Sequence, residues 1–186
     1  MTIAPVSGLT YDELCRWYPD EDGYRRELID GELYVSPAPS TRHQTVVVSL
    51  AAALHAHATR HGGRSLVAPF EVWLGERDVP QPDVLYLAAT HQDRLSVARL
   101  VGAPDLLVEV SSPSSRRTDL LVKRRLYEAH AVPHYWVVDL EQEAVIVHDL
   151  ASGGYAEPRV VRGDEVLAAP TADGFTIAVD AVLVDG

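Results

Sequence analysis

The hydrophobic pattern is densest just past the middle of the chain, where it predicts a strand, a helix and a second strand. Leu106 to Ser111 is a short apolar run that contains one carboxylate, Glu109, and this pattern is typical of a buried strand. A serine-rich turn follows and offers an N-cap for a helix that we expect to end near His130. Residues 135–139 form the next predicted strand, apolar up to Asp139, so the order predicts two parallel strands joined by a helix.

A two-residue Asp-Gly turn at positions 30 and 31 predicts a β-hairpin near the N-terminus. In the register that this turn sets, Glu27 faces Tyr34 and Ile29 faces Glu32, so both glutamates lie on one face. Two carboxylates on one face are either a solvated surface or part of a metal site. The hairpin alone favours the solvated surface.

The next long pattern is helical, with Ser40 as its predicted N-cap and Gly62-Gly63 as its end. His43 lies at the inner edge of this helix near its start. A histidine in that position is more often a hydrogen-bonded structural residue than a metal ligand. His57 and His61 have a chelating spacing, but we expect them at the surface because no third ligand is near them.

Shorter patterns account for the remaining strands. Residues 65–74 and 84–87 are predicted strands, and Asp83 stands directly before the second of them, where either a metal ligand or an ordinary turn aspartate is found. Residues 88–104 are predicted to be a loop with one helical turn. From residue 143 onward, short alternating runs separated by Gly and Asp predict an antiparallel meander. The fold class is therefore mixed α/β, an α+β arrangement in which a mixed sheet is flanked by helices, with an N-terminal hairpin and a C-terminal meander.

Length and composition are those of an ordinary globular domain. The chain has 186 residues, of which 47% are hydrophobic and 23% charged, so we expect residues 1–186 to form one domain. Residues 1–9 are predicted to be a loose arm. One cysteine, Cys15, excludes an intrachain disulfide and fits a reducing compartment. No signal peptide or membrane-spanning run is evident, and we expect a cytoplasmic protein without membrane contact.

The formal net charge of -11 argues against a general nucleic-acid-coating surface, because such binding depends on neutralising phosphates. A local basic patch remains possible on the central helix, and a solvated helix face is an equally good interpretation of the same residues. The cluster consists of Arg116, Arg117, Lys123, Arg124 and Arg125.

Lys123 is the only lysine among 16 basic residues. An ammonium differs from a guanidinium in being a compact point charge whose pKa shifts readily, so an unreplaced lysine indicates a position with a specific role. On the predicted helix, Asp119, Lys123 and Tyr127 are spaced i, i+4 and i+8 and form one stripe. The alternative is a simple surface pair between Asp119 and Lys123.

Motifs for serine hydrolases, zincins, P-loop NTPases and dinucleotide binding are absent from the sequence. What remains is a pair of strand-end carboxylates, Asp83 and Glu109, with Lys123 on the following helix. Oxygen ligands of this kind suit Mg²⁺, which can orient a water and stabilise charge on a phosphodiester. Lys123 would then position or deprotonate the nucleophile, or neutralise the phosphate.

The ordered set of motifs is similar to that of the Uma-type family of restriction endonucleases, in the PD-(D/E)XK nuclease superfamily. The resemblance runs from about residue 10 to the C-terminus and implies a restriction-endonuclease-like core. The motifs that carry it are Glu27-Leu28-Ile29-Asp30-Gly31-Glu32, Ser36-Pro37 with His43, Pro82-Asp83, Glu109-Val110-Ser111-Ser112-Pro113-Ser114, the Asp119, Lys123 and Tyr127 stripe, and Tyr135-Trp136-Val137-Val138-Asp139.

Carried over by position, the resemblance implies that Asp83 and Glu109 ligate a divalent metal ion, Mg²⁺ or Mn²⁺, with the Val110 carbonyl as an extra ligand. Lys123 would be the catalytic lysine and Glu27 an additional acidic residue of the site. The resemblance assigns supporting roles to His43, Glu32, Asp119 and Tyr127.

Two positions depart from the general pattern. The superfamily lysine usually lies two residues after the acid, where this chain has Ser111, so Lys123 must reach the site from the helix. The glycine that usually precedes the Tyr-Trp strand is also missing, since this chain has Ala131-Val132-Pro133-His134 there. The second change bears on the turn rather than on the site.

The resemblance implies a bacterial, divalent-metal-dependent endodeoxyribonuclease, a hydrolase of DNA phosphodiester bonds. We also expect a homodimer, because cutting both strands would be easier with two sites. The first alternative is a nuclease-fold protein that does not cleave and serves as a nucleic-acid-binding or regulatory module. The second is a structural homodimer whose carboxylates are only buried polar groups. Metal binding separates this last hypothesis from the other two, and turnover separates the nuclease from the binding module.

Overall fold

The computed structural model describes residues 8–18 and 24–183, so most of the arm predicted for residues 1–9 lies outside the described residues. A 3-10 segment covers Ala89–Arg94, and a π-helical segment covers Thr118–Lys123. The α-helices are α1 (Tyr11–Trp17), α2 (Thr41–His61), α3 (Arg124–Ala129) and α4 (Val179–Val182). The strands are β1 (Arg25–Ile29), β2 (Glu32–Ser36), β3 (Arg64–Val67), β4 (Glu71–Trp73), β5 (Val84–Leu87), β6 (Arg99–Val101), β7 (Leu106–Ser111), β8 (His134–Asp139), β9 (Ala144–Ala151), β10 (Gly154–Tyr155), β11 (Arg159–Val161), β12 (Val166–Ala169) and β13 (Phe175–Ala178).

The N-terminal hairpin has the predicted register, with Glu27 opposite Tyr34 and Ile29 opposite Glu32. Asp30 and Gly31 both have positive φ angles, 50° and 70°, as a tight two-residue hairpin turn requires. A backbone hydrogen bond of 2.8 Å from the Val79 amide to the Leu28 carbonyl ties β1 to the rest of the molecule.

Helix α2 begins and ends where its capping residues predict. The Ser40 side chain accepts a hydrogen bond from the His43 amide at 3.2 Å, and Gly62 ends the helix in the left-handed conformation with a φ of 80°. Its buried side includes Val46, Leu50 and Leu54.

A seven-stranded sheet forms the centre of the molecule. Its strand order is β10-β9-β8-β7-β5-β3, with β11 also paired to β9. Strands β7 and β8 are parallel, as the strand-helix-strand pattern predicts, and the other pairs are antiparallel. The sheet is therefore mixed, which confirms the predicted fold class.

Alternation along β7 separates two cores. Leu106, Val108 and Val110 lie in the core that also contains residues of α2, α4 and the β12–β13 hairpin. Leu107 lies in the opposite core, with residues of the π-helical segment and α3. Glu109 is on the Leu107 face, so its carboxylate is directed toward the helical segment that carries Lys123.

The single strand predicted over residues 65–74 is wrong, because the structure divides it into β3 and β4. The break contains Pro69, which has no amide hydrogen for a sheet ladder. Strand β4 instead pairs in parallel with β6, a strand that lies inside the predicted loop 88–104.

The C-terminal meander is also only partly correct. Strand β9 is eight residues long and is a full member of the central sheet, next to β8. Strands β12 and β13 form a separate hairpin whose Leu167 and Phe175 are buried in the α2 core. Alternation in sequence shows that one face of each strand is covered, but it does not show by which element.

The prediction that His57 lies at the surface is wrong. Its side chain is buried, and Nε2 lies 3.0 Å from the carbonyl oxygen of Ala172. His61 is exposed, as expected, and stacks on His57 with 4.2 Å between ring centroids. The partner of His57 is more than a hundred residues away in sequence, so helical spacing alone could not reveal it.

The predicted central helix is present, but its middle is π-helical rather than α-helical. The Arg124 amide donates to the Asp119 carbonyl, a hydrogen bond that spans five residues. The same carbonyl accepts a 3.0 Å hydrogen bond from the Tyr135 hydroxyl on β8. Segments of this kind are frequent at functional sites because they redirect side chains within a helix. None of the described helices has the length and apolar character needed to cross a bilayer.

Candidate active site

Three carboxylates from three different strands or strand ends meet Lys123 and Arg25 in a buried cluster. Lys123 Nζ lies 2.9 Å from Glu27 Oε1 and 2.9 Å from Glu109 Oε1. Glu27 Oε1 also accepts a 2.9 Å hydrogen bond from the Gln81 amide. Lys123 therefore reaches across from the helical segment to both the hairpin and the central strand, as its departure from the usual lysine position requires.

Asp83 is held by a different set of partners. Arg25 Nη1 lies 2.6 Å from Asp83 Oδ1. The other oxygen, Oδ2, accepts a 2.8 Å hydrogen bond from the Val110 amide and lies 3.2 Å from His43 Nε2. Both carboxylate oxygens are thus satisfied, and the contact with the Val110 amide connects Asp83 to β7, the strand that carries Glu109.

Tyr127 and Asp119 complete the stripe on the helical segment. The Tyr127 hydroxyl donates to Glu109 Oε1 at 2.9 Å, the same oxygen that meets Lys123. Asp119 is buried beside them. The alternative of a surface pair between Asp119 and Lys123 is therefore wrong, because both side chains are buried.

Burial and neighbouring charges shift the pKa values of this cluster strongly. Burial raises the pKa of Glu109 against the lowering effect of Lys123, and Asp83 and Glu27 add to the rise, so this pKa lies above its ordinary value. Lys123 and the Tyr127 hydroxyl both donate to Glu109 Oε1, which is the arrangement of an ionised carboxylate. Burial lowers the pKa of Lys123, but Glu109 and Glu27 outweigh it, so the Lys123 pKa lies above its ordinary value. Because its ammonium meets two carboxylates, we assign the positive charge of the cluster's interior to Lys123.

Asp83 is shifted in the opposite direction from Glu109. Burial tends to raise its pKa, but the hydrogen bond with His43 and the charge of Arg25 lower it well below the ordinary range. Two neighbouring carboxylates with pKa values displaced in opposite directions are an arrangement found at catalytic sites.

Arg25 and His43 are more exposed than the acids that they contact. The carboxylate side chains of Glu27, Asp83 and Glu109 are at most 4% exposed, whereas the Arg25 side chain is 24% exposed. His43 is 13% exposed. These two residues are therefore nearer to solvent than the three acids.

The donor chemistry of the site suits a hard divalent cation, although the side chains are arranged around cationic groups of the protein. In the described part of the chain, no group of three or more His, Cys, Asp or Glu side chains is arranged as around a metal ion. The guanidinium of Arg25 is instead the common neighbour, 2.6 Å from Asp83 and 4.0 Å from Glu109. A cation therefore already lies where carboxylate oxygens converge, and such oxygens are the ligands that Mg²⁺ prefers.

Two implied roles receive no geometric support. Glu32 is exposed near the hairpin turn, where its carboxylate accepts a 3.2 Å hydrogen bond from Tyr34, so the structure does not bring it to the cluster. Glu32 shares a hairpin face with Glu27, but only Glu27 is covered by the rest of the molecule. For Val110, the amide rather than the carbonyl meets Asp83.

The basic cluster on the central helix does not act as one patch. Lys123 is buried in the site, Arg116 pairs with Asp139 at 2.7 Å, and Arg124 lies 3.3 Å from Glu128. Arg117 and Arg125 are exposed.

Arg25 and Gln81 are the site residues that sequence analysis missed. One signal was available for Arg25, since it precedes Glu27 by two residues and so shares its face of β1. No local pattern indicates Gln81, because its contact is a backbone amide placed by a turn.

The family comparison covers most of the chain. Residues 10–180 match the model of the Uma2 family, described as "Putative restriction endonuclease". Among curated proteins, none matches. A solved structure described as a "putative nuclease belonging to DUF820" from Anabaena variabilis ATCC 29413 superposes with a TM-score of 0.78 and 17% sequence identity.

That superposition covers 95% of this chain and 98% of the other, so the two proteins share a fold along their whole lengths. At such low identity the likeness speaks for the fold alone. The family match concerns the sequence itself and spans residues 10–180. The chain belongs to the Uma2 family of restriction-type nucleases.

Proposed function

We propose that the protein is a metal-dependent endonuclease that hydrolyses DNA phosphodiester bonds. The observation that carries this proposal is the position of Lys123, which lies 2.9 Å from both Glu27 and Glu109 although it comes from a helix rather than from the strand of Glu109. The cluster thereby contains the acids and the lysine that the family resemblance requires, in one buried place.

In this proposal Asp83 and Glu109 would hold a Mg²⁺ or Mn²⁺ ion, and the family resemblance implies the Val110 carbonyl as an additional ligand. Such an ion would activate a water and stabilise negative charge on the phosphate. The protein's own contribution is positioning. Arg25, His43 and the Val110 amide hold Asp83, while Tyr127 holds Glu109.

Lys123 supplies a fixed positive charge beside the place where the phosphate would bind. Because its ammonium is buried and held by two carboxylates, it does not have to reorganise as negative charge develops on the substrate. Glu27 keeps the lysine oriented from the side opposite Glu109. Asp119 adds a further buried acid to this charge balance.

The proposed substrate is DNA, and we propose a homodimer because cutting both strands of a duplex is easier with two sites. The acidic net charge of -11 means that binding must be local, at the cluster and its rim, rather than spread over the surface.

The test is cleavage of supercoiled plasmid by purified protein in Mg²⁺ or Mn²⁺, with Lys123→Met beside it. We expect metal-dependent nicking by the wild type and a loss of at least about 100-fold in the variant, the usual size of an acid-base or electrostatic contribution. Arg125→Gln, an exposed arginine on α3, is the control for a change of one charge.

A folding control is needed because removing Lys123 takes away the cation that lies 2.9 Å from both Glu27 and Glu109, which are buried. Breaking a buried pair in this way destabilises a protein by roughly 3–5 kcal/mol. The double variant Glu27→Gln/Lys123→Met also removes the negative charge of Glu27. In urea unfolding it should therefore be more stable than Lys123→Met, while it remains inactive. Cleavage by a folded double variant would contradict the role of Lys123.

A second candidate, a nuclease-fold protein that binds nucleic acid without cleaving it, is favoured by the burial of all three acids and by the Arg25 guanidinium that already lies among them. Failure of the wild type to nick DNA in either metal, together with measurable duplex binding, would support this candidate over the nuclease.

A further inference from the structure

Arg25 occupies a central position among the acids that is not explained by the catalytic roles above. Its two terminal nitrogens face all three carboxylates, at 2.6 Å from Asp83, 3.5 Å from Glu27 and 4.0 Å from Glu109. No other cationic side chain in the described residues has an ion pair with all three. The guanidinium is thus the group around which the site is arranged.

The charges of the cluster explain why such a group is needed. Lys123 offsets part of the charge of Glu27 and Glu109, but its ion pairs do not include Asp83. If Arg25 were removed, Asp83 would keep only the Val110 amide and His43 among the partners described above, and burying a carboxylate without a paired cation is strongly unfavourable. Arg25 therefore supplies Asp83 with charge compensation that the ion pairs of Lys123 do not supply.

The same position brings Arg25 into conflict with a divalent ion. Asp83 and Glu109 cannot give the same oxygens to a guanidinium and to a metal ion, because two cations within a few ångströms repel each other strongly in a buried site. The Arg25 side chain is also the most exposed member of the cluster, and its Nε has no hydrogen-bond partner among the described residues. It is consequently the group that can leave toward solvent.

We propose that Arg25 is an internal counter-cation that competes with the divalent metal for Asp83 and Glu109 and is displaced when the metal binds. It acts as a positioning residue that keeps the acids assembled and that weakens metal affinity. The inference rests on the metal site of the proposed function. It differs from an ordinary structural ion pair in one respect: removal of the arginine should tighten metal binding, whereas loss of a structural support should weaken it.

The first experiment is titration of Mn²⁺ and Mg²⁺ into wild-type protein, Arg25→Gln and Arg25→Lys by isothermal calorimetry, without DNA. We expect Arg25→Gln to bind Mn²⁺ more tightly by roughly tenfold to a hundredfold, since one competing charge is gone. Arg25→Lys retains a cation and should stay closer to the wild type. Arg125→Gln, with the same change in net charge at an exposed position, should not differ from the wild type.

Thermal melting gives an independent readout. In chelator, Arg25→Gln should melt below the wild type because Asp83 has lost the guanidinium 2.6 Å from it, and added Mn²⁺ should raise the melting temperature of the variant by more than that of the wild type. A merely structural role would lower the melting temperature in both conditions by the same amount.

A measurement on the wild type covers the case in which Arg25→Gln does not fold. The Arg25 Nε–H resonance, assigned by its absence from the spectrum of Arg25→Lys, should shift during titration with diamagnetic Mg²⁺ while the resonances of distant arginines stay fixed. A resonance that does not move as Mg²⁺ saturates the site would overturn the proposal.

The two proposals fail in different ways. If the wild type binds Mn²⁺ but Arg25→Gln binds it equally or more weakly, the displacement of Arg25 is wrong and the metal site stands. If the wild type binds no Mn²⁺ in calorimetry and gives the same titration as Asp83→Asn, the metal site of the proposed function is wrong. The proposed role of Arg25 is then wrong as well.

Discussion

Glu109 and Lys123 show how one residue pair connects stability to chemistry in this protein. Their side chains lie 2.9 Å apart and are almost completely buried, so each charge depends on the other. The spacing of Asp119, Lys123 and Tyr127 predicts a shared face, and the structure places all three there. Spacing does not predict which acidic residues contact that face. They come from β1, from β7 and from the segment just before β5.

His148 offers a prediction at the same scale, outside the site. It is buried on β9 between Tyr135 and Tyr155, each 5.6 Å from its ring centre, and neither ring nitrogen has a hydrogen-bond partner among the described residues. Burial lowers the pKa of His148 to about 4, from an ordinary value of 6.5. The folded state therefore binds a proton less readily than the unfolded state.

Because the His148 pKa is lower in the folded state, stability should be lost as pH falls from above 6.5 towards 4. His148→Phe cannot take up that proton. The difference in free energy of unfolding between His148→Phe and the wild type should therefore be roughly 2 kcal/mol larger, in favour of the variant, at pH 5 than at pH 7. Urea unfolding at the two pH values measures the difference. The exposed His55→Gln should follow the wild type, and an equal pH dependence in wild type and His148→Phe would contradict the prediction.

Among the elements, those with strong local signals are the ones that the sequence predicts well. The Asp30-Gly31 turn, the Ser40 cap and the Gly62 end are all found where expected, because each depends on the conformational preferences of one or two residues. The elements that were mispredicted, β4 and β6, are three residues each and pair with each other although β5 and the 3-10 segment lie between them in sequence. Their pairing is non-local, so short windows of sequence carry little trace of it.

The hairpin turn gives a prediction for an element. Gly31 has a φ of 70°, and a Cβ there would lie 3.0 Å from the Leu9 carbonyl oxygen and closer still to the Arg77 side chain. Gly31→Ala should therefore lower the free energy of unfolding by more than the roughly 1–2 kcal/mol of left-handed backbone alone. Gly163→Ala is the matched control, since its φ is 57° and nothing lies within 4 Å of the added Cβ. Equal losses in urea unfolding would show that the close contacts at Gly31 relax without cost.

At the scale of the whole molecule, the C-terminal segment is part of the same core as the central sheet. Trp136 of β8 packs near Phe175 of β13, with 6.2 Å between ring centroids, and both lie in the core that contains the buried side of α2. Asp83, Glu109 and His43 come from elements that line this core, so its packing sets the distances between them.

Deletion of residues 165–186 should consequently abolish cooperative unfolding. The deletion removes Leu167, Phe175, Val179 and Val182, all buried, and burial of one such side chain is worth about 1.5–3 kcal/mol. Four of them amount to much of the roughly 5–15 kcal/mol that stabilises a typical domain. Circular dichroism during heating should show no sharp transition, whereas Phe175→Leu should keep one at a lower temperature. A sharp transition in the truncated protein would show that the sheet and α2 form a core without it.

The sequence by itself determined the mixed sheet, the strand-helix-strand unit at its centre, the hairpin register and the helix caps, because these follow from periodicities and preferences within a few residues. It also predicted which acids and which lysine belong together, by family resemblance and by the helical stripe. Only the tertiary structure decided that Glu27 joins the cluster while Glu32 does not, and that Arg25 lies among the acids. It also decided that His57 is covered by the chain near Ala172. Each of these outcomes depends on a contact between residues far apart in sequence, where burial and charge compensation act on groups that no local pattern links.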